Sequence, residues 1–235
     1  MRKEPFSIGN FVHLVRRGGR GLPIVKNESD RLRFLKVQYY LNDTHAKENW
    51  FRELDEVNKG SIFSWPESWP ERNPLCSLCA YTLLNNHLHL IAFEKRENGI
   101  SKFMHKSGIS MTKHHNEKYR ERGSLFQGSY KARVIDSDKY LRWVVPYVMV
   151  KNTFEMHPRG YTYAASHFYE AWEWAITYPF SSLGDYAGER NSPIIDSVPL
   201  GDIFENKKEF KELCKDMIMG RGDIKQGAMR DILME

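Results

Sequence analysis

The chain has 235 residues, of which 41% are hydrophobic and 28% are charged, and its formal net charge is +5. This length allows one main domain with additions and a real buried core, and the composition excludes a disordered chain. The first residues lack the apolar run of a signal peptide, and no apolar stretch approaches the roughly 18 residues needed to span a bilayer. We therefore expect a soluble cytoplasmic protein with no membrane partner. The positive net charge favours an anionic binding partner.

The three cysteines indicate neither a disulfide framework nor a zinc site. Cys76 and Cys79 have the CxxC spacing, but the sequence has no second pair to complete four ligands. This stretch also looks like a β-strand, where residues three apart face opposite sides of the sheet. We expect buried structural cysteines.

The first predicted strand, at residues 10–16, leads into a glycine-rich turn. Its glycines allow a tight turn or a close approach to a ligand, and Arg16, Arg17 and Arg20 surround them. Because Arg forks match phosphate oxygens, these arginines either contact phosphate or belong to an ordinary surface loop.

Two helices and a tryptophan-rich loop are predicted next. Ser29-Asp30 offers the cap of the first helix, and the second is predicted from residue 43 to 58. Residues 64–71 repeat Ser-Trp-Pro-Glu, which predicts a loop because proline forbids helix there. The tryptophans are expected to cover an edge of the core, with a stacking surface as the alternative.

The segment from Tyr81 to Phe93 carries the main sign of chemistry. His87 and His89 lie two residues apart in a predicted strand, so both imidazoles point to one sheet face, about 6.6 Å apart along the chain. Such a pair could bind one metal ion or be two ordinary histidines at a strand end. Another strand is predicted at 75–84, and Asn85-Asn86 between the two forms either a tight hairpin or a bulge.

A basic region follows the histidines. Between Lys95 and Arg133 the sequence has ten Lys or Arg residues and three acidic ones. They fall on an amphipathic helix predicted from Ile100 to Tyr119 and on a strand predicted from Tyr130 to Ile135. This excess is either a solvated helix face or the wall of a cleft that binds polyphosphate.

A further helix is predicted from Lys139 to Asn152, and it contains a proline. Pro146 removes a backbone donor and should kink the helix just before Tyr147. The kink either re-aims this tyrosine or is a local bend without function. Helical patterns continue at 161–178 and 204–219.

Taken in order, these motifs resemble the single-tyrosine HUH transposases, and most closely the REP-associated tyrosine transposases of bacteria. The similar segments are Val12–Gly18, Asp30–Leu35, Asn86–Leu90, Gly123–Arg133, Asp136–Leu141, the tyrosine-bearing helix and Tyr178–Gly188. Each segment is weak alone, but together they extend over about residues 8–190. An insert at about 43–72 is longer than the family leads us to expect.

The resemblance implies an α+β fold: a ferredoxin-like antiparallel sheet with helices packed on it. It places the catalytic domain at residues 1–160 and a helical extension at 161–235. It also implies a single-stranded DNA endonuclease and strand transferase that acts near hairpins through a covalent 5′-phosphotyrosine, with Mg²⁺ or Mn²⁺. Tyr147 matches the nucleophile, with Tyr140 as its rival, and His87 and His89 match the metal ligands. We expect a monomer or homodimer associated with the nucleoid.

The sequence departs from the family pattern at two positions. The polar residue four after the tyrosine, a third metal ligand in the pattern, is Lys151, which has no lone pair while charged. Asn152 could replace it if the helix is irregular beyond Pro146; alternatively, Lys151 contacts the scissile phosphate. Asn86 stands where the family usually has proline.

The residues expected along the DNA, besides Lys151, are Arg16, Arg17, Arg20, Lys131 and Arg133. Two other classes of function stay open. Lys151 could mark a decayed metal site in a module that only binds hairpin DNA or RNA. The chain could also be a metal-dependent hydrolase of small phosphoesters with a basic rim.

Overall fold

The computed structural model describes residues 6–45, 50–57, 62–203 and 206–220. A four-stranded antiparallel sheet forms its centre, with the strands β1 (Phe11–Arg17), β2 (Ser77–Leu83), β3 (His87–Phe93) and β4 (Lys131–Ile135) in the order β2-β3-β1-β4. Helix α1 (Glu28–Tyr40) and the short α2 (Trp50–Val57) lie between β1 and β2 in the chain, and α3 (Gly99–Tyr119) lies between β3 and β4. This strand order and βαββαβ succession are ferredoxin-like, so the predicted fold class is confirmed.

The turn between β2 and β3 is a tight hairpin. The Leu84 N–H donates a hydrogen bond to the His87 carbonyl at 2.9 Å, which leaves two residues in the loop. A bulge does occur, but within β2, where the register shifts between Leu78 and Ala80. The hairpin fixes the start of β3 and hence the position of the histidine pair.

The sheet separates two hydrophobic clusters. Leu14 and Leu90 lie in the cluster that contains residues of α1 and α3, whereas Ile91 lies in the one that contains residues 140–150. Cys76 and Cys79 are both buried and belong to different clusters, as the strand pattern predicts. Alternation along each strand therefore decides which helical layer a side chain meets.

Helix α1 is capped by Asn27, so the prediction of Ser29-Asp30 as the cap is wrong by a few residues. The Asn27 side chain accepts a hydrogen bond from the Asp30 N–H. The Asp30 carboxylate is instead buried between α1 and α3, where it accepts from Lys118 Nζ at 2.6 Å and from the Tyr119 hydroxyl at 2.6 Å. A charged group thus joins the two helices of this layer.

The tryptophan loop covers the edge of the core, as predicted. Trp65 stacks on Tyr40 with ring centroids 6.1 Å apart, and Trp69 meets Trp65 edge-on at 4.9 Å. Helix α2 begins at Trp50, later than predicted, although residues 46–49 and 58–61 lie outside the described part of the chain.

The other layer begins with the helix predicted at 139–152, which consists of three pieces. Helix α4 (Asp138–Pro146) passes into a π-helical turn (Tyr147–Lys151) and then into the short α5 (Asn152–Glu155). Pro146 therefore precedes a change of winding, which is the irregularity that the sequence predicts at this point.

Within the described residues four further α-helices follow, namely α6 (Gly160–Ser166), α7 (Phe168–Thr177), α8 (Leu183–Ala187) and α9 (Lys207–Ile218), with a 3-10 helix (Val198–Ile203) before the last. The helix predicted at 161–178 is thus two helices, and the last predicted helix begins at residue 207. Phe168 of α7 and Phe210 of α9 pack in the same cluster as α4, so α4 is covered by the chain beyond residue 160. Within the described residues, no helix is long and apolar enough to cross a membrane.

We predict that Asp30→Asn lowers the free energy of unfolding by roughly 1–3 kcal/mol, because Lys118 and Tyr119 of α3 lose a buried, charged acceptor. Burial alone would raise the pKa of Asp30, but the hydrogen bonds from Lys118, Tyr119 and the Lys26 N–H outweigh it and hold the pKa below its usual value. The carboxylate therefore stabilises the fold above about pH 4, and this contribution is lost as the pH falls further.

Urea denaturation at several pH values checks this prediction. The difference between wild type and Asp30→Asn should be largest near neutral pH and should shrink in acid. Glu28→Gln, an exposed change in the first turn of the same helix, is the matched control. Equal effects of the two substitutions would contradict the role given to Asp30.

Candidate active site

Three buried histidines share the sheet face that is turned toward α4. In the pairing of β1 with β3, Val15 lies opposite His89 and Arg17 lies opposite His87. The ring centroids of His87 and His89 are 5.1 Å apart. His13, two residues before Val15 on the same face of β1, places its Nε2 atom 3.0 Å from His89 Nδ1. No role is predicted for His13 from the sequence, although alternation along β1 places it on the same face as Arg17.

The hydrogen bonds of the imidazoles determine which ring nitrogens can bind a metal. His87 Nδ1 lies 2.7 Å from Asn86 Oδ1, which only accepts, so Nδ1 carries a proton, and in the neutral ring the lone pair is on Nε2. A His89 that donates from Nδ1 to His13 Nε2 likewise keeps its lone pair on Nε2. Hydrogen-bond partners of this kind orient histidines that bind metals. A proline at position 86 would have no side-chain oxygen to accept this hydrogen bond from His87.

The His13 and His89 imidazoles are both neutral at physiological pH. Burial lowers the pKa of His13 to about 3, and the nearby Arg133 acts in the same direction. Burial also lowers the pKa of His89 well below 6.5, and Lys151 and Arg17 are among the neighbouring groups that add to this effect. A neutral imidazole is the form that can coordinate an ion.

Tyr147 lies against this histidine group. Its ring meets His89 edge-on with centroids 5.6 Å apart and His13 at 6.2 Å, and it stacks on Trp143 at 5.0 Å. The side chain is only 2% exposed. The rival Tyr140 has Arg133 5.2 Å above its ring, and burial raises its pKa to about 12.

The π-helical turn places both Lys151 and Asn152 about one turn after Tyr147. Lys151 Nζ bonds to Glu155 and lies 5.0 Å from the centroid of the Tyr147 ring, so this ammonium faces the tyrosine. The Asn152 N–H donates to the Tyr147 carbonyl five residues earlier. The Asn152 side chain is 0% exposed, and neither of its amide atoms has a hydrogen-bond partner within the described residues.

Most of the basic residues expected along the DNA lie near the histidines. The pairing of β1 with β4 sets Arg133 opposite His13 and Lys131 opposite Val15, on the same face as Arg17. Arg20 is exposed in the turn that follows β1. These four cations lie on or next to the face of the sheet that carries the histidines.

Arg16, also expected along the DNA, lies on the opposite face of the sheet. Its guanidinium donates to the Met104 carbonyl of α3 at 2.7 Å and lies 4.1 Å from the ring centroid of Phe126. Burial lowers its pKa. Arg16 therefore packs between β1 and α3, and adjacent residues of a strand must diverge in this way.

The residues present fit a weakly held divalent ion rather than a structural metal. Across the described ranges, no group of three His, Cys, Asp or Glu residues could hold a metal ion. The candidate donors expected from the sequence are His87 and His89 in β3 and the amide of Asn152, which is buried in α5. None of the three can carry a negative charge, and Lys151 and Arg17 add positive charge near His89. An ion here would need negative charge from a bound anion.

No protein-family profile matches the sequence, and no curated protein matches it. Among solved structures the chain is similar to one titled "Structure of the REP associates tyrosine transposase bound to a REP hairpin", with 14% sequence identity and a TM-score of 0.46. The match covers 84% of this chain and 92% of that chain. At that TM-score the likeness carries no weight, so function has to rest on the residues of this chain.

We predict that the His13 imidazole stays neutral from about pH 8 to pH 5. Its pKa is lowered to about 3, whereas an imidazole of the unfolded chain titrates near 6.5. Between these two values the unfolded state binds more protons, so acidification through this range destabilises the fold. NMR titration of nitrogen-labelled histidine, with His13→Gln to assign the signal, measures this directly. A His13 midpoint of about 6 or higher would show that the ring is not buried as described.

Proposed function

We propose that the chain is a metal-assisted DNA transesterase that cleaves and rejoins single strands near hairpins, with Tyr147 as its nucleophile. The observation that carries the proposal is the contact between the Tyr147 and His89 rings, 5.6 Å apart between centroids. The sequence resemblance selects a tyrosine and a histidine pair from distant segments. Of the two tyrosines it leaves in competition, Tyr147 is the one whose ring contacts the histidines.

The DNA backbone would follow the basic side chains beside the histidines. Arg17, Lys131 and Arg133 share the histidine face, and Arg20 extends it into the turn after β1. Arg and Lys contacts to phosphate supply affinity that does not depend on sequence and weakens with salt. These cations also favour a strand that enters with its phosphate toward Tyr147.

In the reaction the Tyr147 oxygen attacks the scissile phosphorus. A bond forms between the phenolic oxygen and phosphorus, and the bond from phosphorus to the 3′ oxygen breaks. The phenol loses its proton, and the departing 3′ oxygen gains one. The product is a 5′-phosphotyrosine and a free 3′-hydroxyl, and the hydroxyl of a second strand can reverse the step and join DNA.

His87, His89 and Asn152 would hold Mg²⁺ or Mn²⁺, which when bound polarises a non-bridging phosphate oxygen. Lys151 has a separate task. Its ammonium lies 5.0 Å from the Tyr147 ring centroid, where it is paired with Glu155, and it would add positive charge beside the scissile phosphate. None of these donors carries a negative charge and cations lie nearby, so the ion and the DNA phosphate should strengthen each other's binding.

A second candidate function is a hairpin DNA- or RNA-binding module without cleavage. It is favoured by the donor set, which lacks a carboxylate, and by the closed position of Tyr147, which is only 2% exposed. Cleavage would require the side chains that cover the Tyr147 ring to move when the DNA strand binds. A binding module would need only the basic surface.

We predict that the protein forms a covalent adduct with labelled hairpin DNA that carries a single-stranded flank, in the presence of Mn²⁺. On a denaturing gel, Tyr147→Phe should reduce the adduct by about a thousandfold or more, because the nucleophile is lost. The matched control is Tyr140→Phe, a buried tyrosine on the same helix, which should keep most of the adduct.

Other outcomes would decide against transesterification. DNA that is retarded on a native gel but forms no adduct would indicate the binding module. Turnover of nitrophenyl phosphate without affinity for DNA would indicate a small-phosphoester hydrolase. An adduct that survives Tyr147→Phe but is lost in Tyr140→Phe would assign the nucleophile to the rival tyrosine.

A further inference from the structure

Side-chain hydroxyls bind the backbone carbonyls of the π-helical turn. The Thr82 hydroxyl donates to the Val148 carbonyl at 2.6 Å. The Thr153 hydroxyl donates to the Met149 carbonyl at 2.6 Å, and the Ser181 hydroxyl reaches the same oxygen at 3.2 Å. We call these three residues, Thr82, Thr153 and Ser181, the hydroxyl cluster.

The hydroxyl cluster joins three separate parts of the chain. Thr82 lies in β2, Thr153 in α5 and Ser181 just before α8, and all three are fully buried. The Thr82 oxygen lies 3.2 Å from the Ser181 oxygen and 3.4 Å from that of Thr153. The three hydroxyl oxygens thus lie against one another while their protons go to the carbonyls of the turn, so a change at one residue alters the surroundings of the other two.

The segment that carries Ser181 is fixed to the outer edge of β2. The Leu83 N–H donates to the Phe180 carbonyl at 2.9 Å, and the Ser182 N–H donates to the Tyr81 carbonyl at 2.9 Å. The Arg190 guanidinium donates hydrogen bonds to the Ser181 carbonyl and to the Asp185 carboxylate, and these bonds further fix the segment that carries Ser181. The position of the Ser181 hydroxyl is thus set by the sheet that also carries the histidines.

The winding of this turn decides which residue follows Tyr147 by one turn. In a regular α-helix the i+4 hydrogen bond would join residue 151 to Tyr147, whereas in the observed π-turn the i+5 bond joins Asn152 to it. The two windings differ in the carbonyls left for side chains. In the π-turn the Asn152 N–H leaves the Val148 carbonyl, its partner in a regular α-helix, so the Thr82 hydroxyl placed at that carbonyl favours the π-turn.

We propose that the hydroxyl cluster positions the active site by holding the π-turn, which places the buried Asn152 amide about one turn after Tyr147, whose ring lies against the histidines. The proposal rests on the proposed function, since it concerns the same tyrosine and ion. Thr82 and Ser181 are then positioning residues that touch neither DNA nor metal. The segment Tyr178–Gly188, far along the chain from Tyr147, thereby becomes part of the catalytic apparatus.

The test uses the full chain with Thr82→Val, which keeps the shape and removes the hydroxyl, and Thr82→Ser, which restores it. Ser77→Ala is the matched control, because Ser77 is buried in the same strand but donates to Asp196. Mn²⁺ affinity in the presence of hairpin DNA, adduct formation, melting temperature and backbone hydrogen exchange are measured for each variant.

Thr82→Val should lower Mn²⁺ affinity and the adduct rate by about tenfold or more, as loss of an outer partner does at metal sites. It should also speed hydrogen exchange of the backbone N–H of Asn152 relative to the backbone N–H groups of α3. Thr82→Ser should recover most of each signal, and Ser77→Ala should change only the melting temperature. An adduct rate that follows the melting temperature alike in Thr82→Val and Ser77→Ala would overturn the proposal.

The hydrogen-exchange measurement separates this proposal from the function on which it rests. If Thr82→Val leaves the exchange of Asn152 unchanged, the hydroxyl cluster does not hold the turn, whatever the activity. If the exchange rises but the wild type forms no adduct and binds no Mn²⁺, the proposed function fails and the cluster is a structural device only.

Discussion

The antiparallel pairing of β1 with β3 is the constraint on which the rest of the site depends. It sets Val15 against His89 and Arg17 against His87, and so brings His13 beside His89 although they are distant in sequence. A slip of one residue in this register would turn the imidazoles toward α1 and α3. The helix with Tyr147 then covers the imidazoles from above, and the C-terminal helices cover that helix in turn.

Burial gives these groups their chemical character. Imidazoles enclosed between a sheet and a helix stay neutral and keep their lone pairs, while Lys151, Arg17 and Arg133 make the surroundings positive. Such a site attracts a phosphate more readily than it attracts a free cation. The same enclosure hides Tyr147, so under the proposed function DNA would have to open the site as it binds, and binding energy would supply the cost of that opening.

Much of this arrangement could be predicted from local patterns. Period-two alternation identified the strand with His87 and His89, and Pro146 indicated an irregular helix before Tyr147. The same alternation also requires Arg16 and Arg17 to face opposite sides and places His13 on the face of Arg17. The arrangement of His13 and Arg16 was therefore predictable from the sequence of β1. The π-turn was not predictable, because the hydroxyls that hold it come from Thr82 and Ser181, far away in sequence.

The central claim is that two imidazoles and one tyrosine meet at a single phosphate of DNA. The most direct test is a crystal structure of Tyr147→Phe with uncleaved hairpin DNA and Mn²⁺, with the ion located by its anomalous scattering. The account predicts one manganese peak at the Nε2 atoms of His87 and His89, shared with a DNA phosphate that lies next to the ring of residue 147. A strand bound away from this ring, with no manganese at the histidines, would contradict it.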